Sequence, residues 1–286
     1  MLIGAHQSIV GGIHKALLRG EETGCSTIQV FVRSNMAWNP GKLTPEKVRR
    51  FRETQESTGI RPVVAHSCYL INPASTNPQT LRRSISALAD ELRRSQLLGI
   101  PYLVMHPGAH LGAGEAAGLR KIARGLDRAI RRSGTERVRV LLETTAGAGT
   151  ILGSRFEHLA EVIAASGFPE RLGVCYDTCH TFAAGYDIRT RRAYLATMRK
   201  FNRILGLDRL LCFHFNDAKC DLGSQRDRHE HIGKGKLGED AFAFILKDKR
   251  FTSIPKILET PKGTYRRRPW DKINLDTLRR LAADGE

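Results

Sequence analysis

Six successive apolar runs of this 286-residue chain end in a residue type that binds metals: His66, His106, Glu143, Asp177 (with His180 one helical turn on), His214 and Glu259. An earlier run ends at His6, and the stretch Asp227-Arg228-His229-Glu230-His231 adds more of the same types. A single His after an apolar run is ordinarily a hydrogen-bonded structural residue, and a single Glu or Asp there can cap the next helix. Taken together, these side chains would crowd uncompensated carboxylates and imidazoles at one place, at a cost of roughly several kcal/mol per unpaired ion. Cations are therefore expected. Imidazole and carboxylate without thiolate favour Zn²⁺, with Mn²⁺ or Fe²⁺ as possible substitutes, and disfavour Ca²⁺. The candidates are too many for one tetrahedral ion. They suit two or three metals sharing carboxylates, an arrangement that clamps the attacking and leaving oxygens of a phosphodiester displacement.

The elements that must deliver these residues can be read from apolar periodicity. Runs rich in Val, Ile and Leu occur at Leu2–Ala5, Thr27–Val32, Pro62–Ala65, Tyr102–Met105, Val138–Leu142, Gly173–Tyr176, Leu210–Phe215 and Pro255–Leu258. Their length and composition predict strands buried on both faces. Amphipathic stretches predict helices over Thr44–Thr58, Thr80–Leu98, Glu115–Arg132, Arg155–Ala165, Arg189–Leu205, Asp240–Lys247 and Asn274–Ala283, with Thr44-Pro45 as a cap and first-turn proline. Eight strand-like runs at about 36 residues per unit match the βα repeat of a (β/α)8 TIM barrel. No Pro/Ser-rich linker interrupts the sequence, so residues 1–286 are expected to form one domain with its active site at the carboxyl ends of the strands; a doubly wound open sheet is the weaker alternative.

Composition narrows the class. Hydrophobic residues make up 41% and charged residues 26%, which fits a folded globular chain and excludes global disorder. No run is long and apolar enough to span a membrane, and the first residues lack a signal-peptide pattern. A cytoplasmic protein is expected. The six cysteines form no Cys-x-x-Cys pair, so reduced, mostly buried thiols are the default. Lys and Arg number 46 against 29 Asp and Glu, a net +17 rich in Arg pairs and the run Arg266–Arg268. That surplus permits a polyanionic partner without demanding one.

The motifs as they stand resemble the endonuclease IV family. They are Gly4-Ala5-His6-x-Ser8, His66-Ser67-Cys68-Tyr69-Leu70-Ile71-Asn72, His106-Pro107-Gly108-Ala109-His110 and Glu143-Thr144-Thr145-Ala146-Gly147. Asp177-Thr178-Cys179-His180, His214-x-Asn216-Asp217-x-Lys219, Asp227-Arg228-His229 and Leu258-Glu259-Thr260 follow in order, so the likeness runs from Met1 to about Lys262. The resemblance implies a class II apurinic/apyrimidinic endonuclease with three zinc ions, cutting duplex DNA 5′ to an abasic site to leave a 3′-hydroxyl and a 5′-deoxyribose phosphate, and trimming blocked 3′ ends. One zinc would take His66, His106 and Glu143, with Glu143 bridging to a second held by Asp177, His214 and Glu259; a third would take His180, Asp227 and His229. The residues alone leave His229 and His231 as alternatives, and the family pattern favours His229. Glu143 and Glu259 are the candidates to orient the nucleophile.

The family opens DNA with side chains from the second and third βα loops. Tyr69 matches the inserting Tyr of the third, and Trp38 lies in the second. Met36 stands where an Arg is common, an apolar wedge in place of a cation. Lys234, in Ile232-Gly233-Lys234-Gly235-Lys236, stands where an acid is frequent; the stretch lacks the spacing of a nucleotide-binding loop, and a phosphate contact there competes with a merely solvated loop. His6 is expected near DNA or as support for the barrel floor. The resemblance implies a monomer. The competing functions are a sugar isomerase or epimerase on the same barrel, which needs one or two ions and no basic surface, and a non-catalytic nucleic-acid binder.

Overall fold

A computed structural model describes residues 1–283 of the chain. Eight parallel strands close into one barrel: β1 (Ile3–His6), β2 (Thr27–Phe31), β3 (Val63–His66), β4 (Tyr102–Met105), β5 (Arg139–Glu143), β6 (Leu172–Asp177), β7 (Leu210–His214) and β8 (Lys256–Leu258). Each strand pairs with its sequence neighbours and β8 pairs with β1, so the ring has no edge and the open-sheet alternative falls.

The ring of helices consists of α1 (His14–Thr23), α2 (Pro45–Thr58), α3 (Pro78–Leu98), α4 (Glu115–Ser133), α5 (Phe156–Ala165), α6 (Thr178–Ala183), α7 (Arg191–Leu205), α8 (Glu239–Leu246) and α9 (Trp270–Ala283). Thr44 caps α2 by accepting the Lys47 amide, with Pro45 in the first turn as expected. Asn77 does the same for α3, accepting from Gln79 and Thr80, so that helix starts two residues earlier than its apolar periodicity indicates. Two helices escape the periodicity. In α1 only Ala16, Leu17 and Gly20 are buried, too small a stripe to stand out, and Gly20 is there because a Cβ would meet Ile28 Cγ2 at 2.6 Å. The short α6 is buried on every side and has no solvent-exposed face.

One layer inside the barrel fixes everything above it. Val64, Val104, Leu141, Cys175, Cys212 and Ile257 form a separate, solvent-free cluster on β3 to β8. Strand side chains alternate with period two, so the residue two positions on from each of these points the same way. Those residues are His66, His106, Glu143, Asp177, His214 and Glu259. The apolar layer thus sets the parity that aims six polar side chains into the barrel mouth.

Candidate metal centre

Glu143 lies at the middle of that mouth, without exposure to solvent. Its Oε2 is 3.1 Å from His66 Nε2 and 3.2 Å from His106 Nε2. Its Oε1 is 3.0 Å from His214 Nδ1 and 3.2 Å from His180 Nδ1. One carboxylate therefore faces two histidine groups, one with each oxygen. His214 Nδ1 also lies 3.1 Å from Glu259 Oε2 and 3.9 Å from Asp177 Oδ2. On the far side, Asp227 is 3.0 Å from His180 Nε2 and 3.3 Å from His229 Nε2.

Possible ligand atoms converge within 4.8 Å of one another in the sets His66–His106–Glu143, Glu143–Asp177–His214–Glu259 and His180–Asp227–His229. All nine residues singled out in the sequence as metal ligands fall in these three sets. His231 does not. It stacks on Trp270 at 3.6 Å and meets Asn274 through Nδ1, turned away from the mouth.

In three of the histidines the Nδ1 nitrogen is already committed to a backbone carbonyl. His66 Nδ1 donates to the Ser67 carbonyl at 2.8 Å, His180 Nδ1 to the Thr144 carbonyl at 2.9 Å and His229 Nδ1 to the Glu259 carbonyl at 3.2 Å. Each bond leaves an Nε2 lone pair facing the site, the usual support of a metal-binding imidazole. His180 Nε2 and His229 Nε2 then lie 3.4 Å apart, both beside Asp227. Two lone pairs in contact repel; only a cation between them, a proton or a metal ion, makes the contact favourable. The residues present thus fit a metal.

Electrostatics agree. Burial works to lower the pKa of His180, yet Asp177, Asp227 and Glu143 outweigh it and hold the imidazole well above its ordinary value. Burial is likewise overcome at His214 by Glu259 and Glu143. Burial works to raise the pKa of Glu143, and His214 and His106 bring it well below the carboxylate range. A field that attracts protons this strongly attracts any cation.

Supporting residues hold the set. Asp177 accepts the His180 amide through Oδ1 at 2.7 Å, capping α6, and Asn216 Nδ2 through Oδ2 at 2.7 Å. Asn216 Oδ1 accepts the Glu259 amide. The sequence reading missed Gln29, a fully buried side chain on β2. Its Nε2 donates to Glu259 Oε1 at 2.6 Å and meets His6 Nδ1 at 3.1 Å, while its Oε1 is 2.8 Å from His214 Nε2. A carboxylate can only accept, so the Gln29 amide has one possible orientation. His214 must then carry its proton on Nε2 and present Nδ1 to the site. Gln29 lies in the middle of an apolar run and ends no strand, so residue type alone gave no signal.

The remaining candidates lie at the rim. Tyr69 is 57% exposed, stands edge-on to Phe31 at 5.5 Å, and lies beside His66 and His106. Met36 is 71% exposed in the second loop. Trp38 is half-buried against the core instead, and its carbonyl accepts from Arg33. His6 does not support the barrel floor: it sits at the mouth end of β1, 3.9 Å from Glu259, because strand polarity carries its terminal residue upward. Lys234 is exposed, but the amides around it are spent. Gly235 and Leu237 donate to Asp217 and Lys236 to Ala218, which leaves no backbone cradle for phosphate.

Fold and site together define a closed (β/α)8 barrel with three histidine–carboxylate groups at its mouth, each able to hold a metal ion. The family model described as a xylose isomerase-like TIM barrel matches residues 18–283. The chain is 50% identical over 279 residues to "Probable endonuclease 4" of Geobacter sulfurreducens, covering 98% of this chain and 94% of that protein. The crystal structure of endonuclease IV from Thermus thermophilus superposes with a TM-score of 0.87 at 35% identity, covering 98% of both chains. The chain belongs to the endonuclease IV family. A D-tagatose 3-epimerase-like protein shares the barrel, with a TM-score of 0.74 at 18% identity, a likeness of fold alone.

Proposed function

We propose that this chain is a zinc-dependent DNA-repair endonuclease that hydrolyses the phosphodiester 5′ to an abasic site in duplex DNA, leaving a 3′-hydroxyl and a 5′-deoxyribose phosphate, and that it trims blocked 3′ ends. The observation that carries the reading is the approach of His180 Nε2 and His229 Nε2 to 3.4 Å beside Asp227, next to a Glu143 that faces two further groups. A sugar epimerase needs one or two ions and has no use for that outer group.

His66, His106 and Glu143 would hold one zinc, Glu143, Asp177, His214 and Glu259 a second, and His180, Asp227 and His229 a third, with Mn²⁺ an acceptable substitute. Bound there, the ions supply Lewis-acid charge to a phosphodiester and to its departing oxygen. The chain does the rest. Glu143 fixes the spacing between the groups with its two oxygens. Glu259, held by Gln29 through one oxygen, keeps the other in the second ligand group beside His214 and orients the nucleophile. Tyr69 and Met36 stand exposed on adjacent loops and wedge into the stack beside the extruded sugar, with Trp38 packing the base of the second loop. Lys234 meets the backbone by charge alone, and His6 restrains Glu259 and Gln29 from beneath the DNA. The working unit is a single domain and a monomer, and its substrate places it in the cytoplasm, beside the nucleoid in a bacterium. No helix among the described residues is long and apolar enough to cross a membrane.

An end-labelled duplex with one abasic site tests the reading. A nick ending in a 3′-hydroxyl is expected, with about three zinc ions per chain by metal analysis. An uncut duplex, or a protein saturated by a single ion, overturns it.

A further inference from the structure

The run Arg266–Arg268, which no part of the metal centre uses, forms a structure of its own. Thr264–Tyr265 pairs antiparallel with Arg268–Pro269, and Arg266-Arg267 is the two-residue turn between them. Both turn residues have positive φ, 48° and 65°. A two-residue hairpin turn with both residues in that region is the type I′ form, which Asn-Gly adopts readily and L-residues with long side chains do not. Two arginines at these positions hold strain in an exposed turn, the kind of local cost that persists where side-chain placement matters.

The hairpin is fastened at its base. Arg268 pairs with Asp276 of α9 at 2.7 Å, and Lys262 donates to both oxygens of Asp271. Trp270 stacks on both Tyr265 and His231, which ties the hairpin to the loop carrying Asp227 and His229. At the tip, the Arg266 guanidinium lies over the Tyr265 ring at 5.3 Å, and no carboxylate among the described residues pairs with Arg266 or Arg267. One of the three arginines is thus neutralised as an anchor, and two are left as exposed charges. The hairpin begins five residues after Glu259, in the eighth βα loop, so chain connectivity puts it on the rim of the mouth.

We propose that the Arg266-Arg267 turn is a cationic finger that binds the phosphodiester backbone of the duplex beside the reacting site. The proposal rests on the DNA reading above. Guanidinium forks match phosphate oxygens, and a duplex presents one negative charge per roughly 1.7 Å of axis, so DNA seated over the mouth must pass a fixed rim element with phosphates facing it. A finger stiffened by stacking and strain loses little freedom on binding.

The double variant Arg266→Asn/Arg267→Gly removes both charges and installs the pair this turn prefers, so the hairpin itself survives. Binding to a duplex carrying a stable abasic analogue is measured across a salt series. The slope of log affinity against log salt is expected to become shallower by about 1.8, two contacts at roughly 0.9 each. The melting temperature is expected to rise by about 2–4 °C as the turn strain goes. A control, Arg132→Gln/Arg203→Gln, removes two exposed charges from the last turns of α4 and α7 on the opposite face, and should leave the slope unchanged. An unchanged slope in the finger variant, an equal change in the control, or a lower melting temperature overturns the proposal. If the wild-type chain nicks the abasic duplex and only the slope result fails, the finger alone falls. If the wild-type chain neither binds nor nicks, both readings fall.

Discussion

At the scale of single residues, the site depends on side chains that hold other side chains. Gln29 fixes the His214 tautomer and one oxygen of Glu259 at once. Gln29→Ala should leave the fold intact and weaken metal retention by about 10- to 100-fold, the usual cost of losing a supporting partner. Zinc release to a competing chelator measures this without reference to turnover, and wild-type release would refute it. Glu259→Gln keeps the shape of the side chain but loses its charge. It should retain much of the affinity for abasic DNA while turnover falls by about a hundredfold or more. Full cleavage by a metal-loaded Glu259→Gln protein would contradict that role. Sequence reading reached His66, His106, Glu143, Asp177, His214 and Glu259 because each ends an apolar run, with His180 one helical turn on, whereas Asp227 and His229 stood out only as residue types within a polar stretch. Gln29 was hidden in mid-strand, and the choice between His229 and His231 needed the stacking of His231 on Trp270 to be seen.

Elements bring the residues together, and one helix braces two loops. Buried Glu91 of α3 accepts the Cys68 amide, one residue before Tyr69, at 3.2 Å, and lies 3.8 Å from Arg33 Nε. Arg33 in turn donates to the Ala37 and Trp38 carbonyls, beside Met36. The loops bearing both exposed wedges are thus tied to one carboxyl group. Burial pushes that carboxyl up to about 8, against the opposing pull of the Cys68 amide and Arg33. The native state then holds a proton that the unfolded chain releases near its ordinary value, so this contribution to stability is full below about pH 4.5 and is lost as pH rises through about 8. The unfolding free energy of the wild type should accordingly fall from pH 5 to pH 9 more steeply than that of Glu91→Gln, by an amount on the order of a few kcal/mol in denaturant titrations. Parallel pH profiles for the two proteins would sink the idea. None of this was visible in α3 as a sequence: its periodicity rests on apolar residues, Glu91 is not one of them, and only the fold shows that its helix face meets two loops. The α1 helix was missed for the opposite reason, a buried stripe of small residues too weak to register.

For the molecule as a whole, the net charge of +17 is not spread evenly over what it does. Glu143, Asp177, Asp227 and Glu259 meet at one mouth, four carboxylates that sum to −4 before the charge on the neighbouring imidazoles is counted. Three divalent ions would contribute +6 and leave a surplus of +2 facing the substrate. Chelation should therefore lower abasic-duplex affinity and melting temperature together, since the ions bind the folded chain and not the unfolded one. Binding that survives complete metal removal at unchanged strength would refute the coupling. The barrel was legible because eight apolar runs recur at a nearly constant interval, whereas the rim hairpin was not. Its six residues carry no periodicity, and only the positive φ of two arginines marks it.

The apolar layer beneath the mouth, Val64 to Ile257, has a consequence for traffic. It plugs the barrel from below, so the candidate metal centre is a vessel with one door, and on the proposed function duplex DNA would come to rest on that door. Water, ions and protons bound for the centre would have to enter before the substrate does or squeeze past its edge. Loading would come first and docking second, and a docked duplex would act as the lid of the chamber in which it is cut.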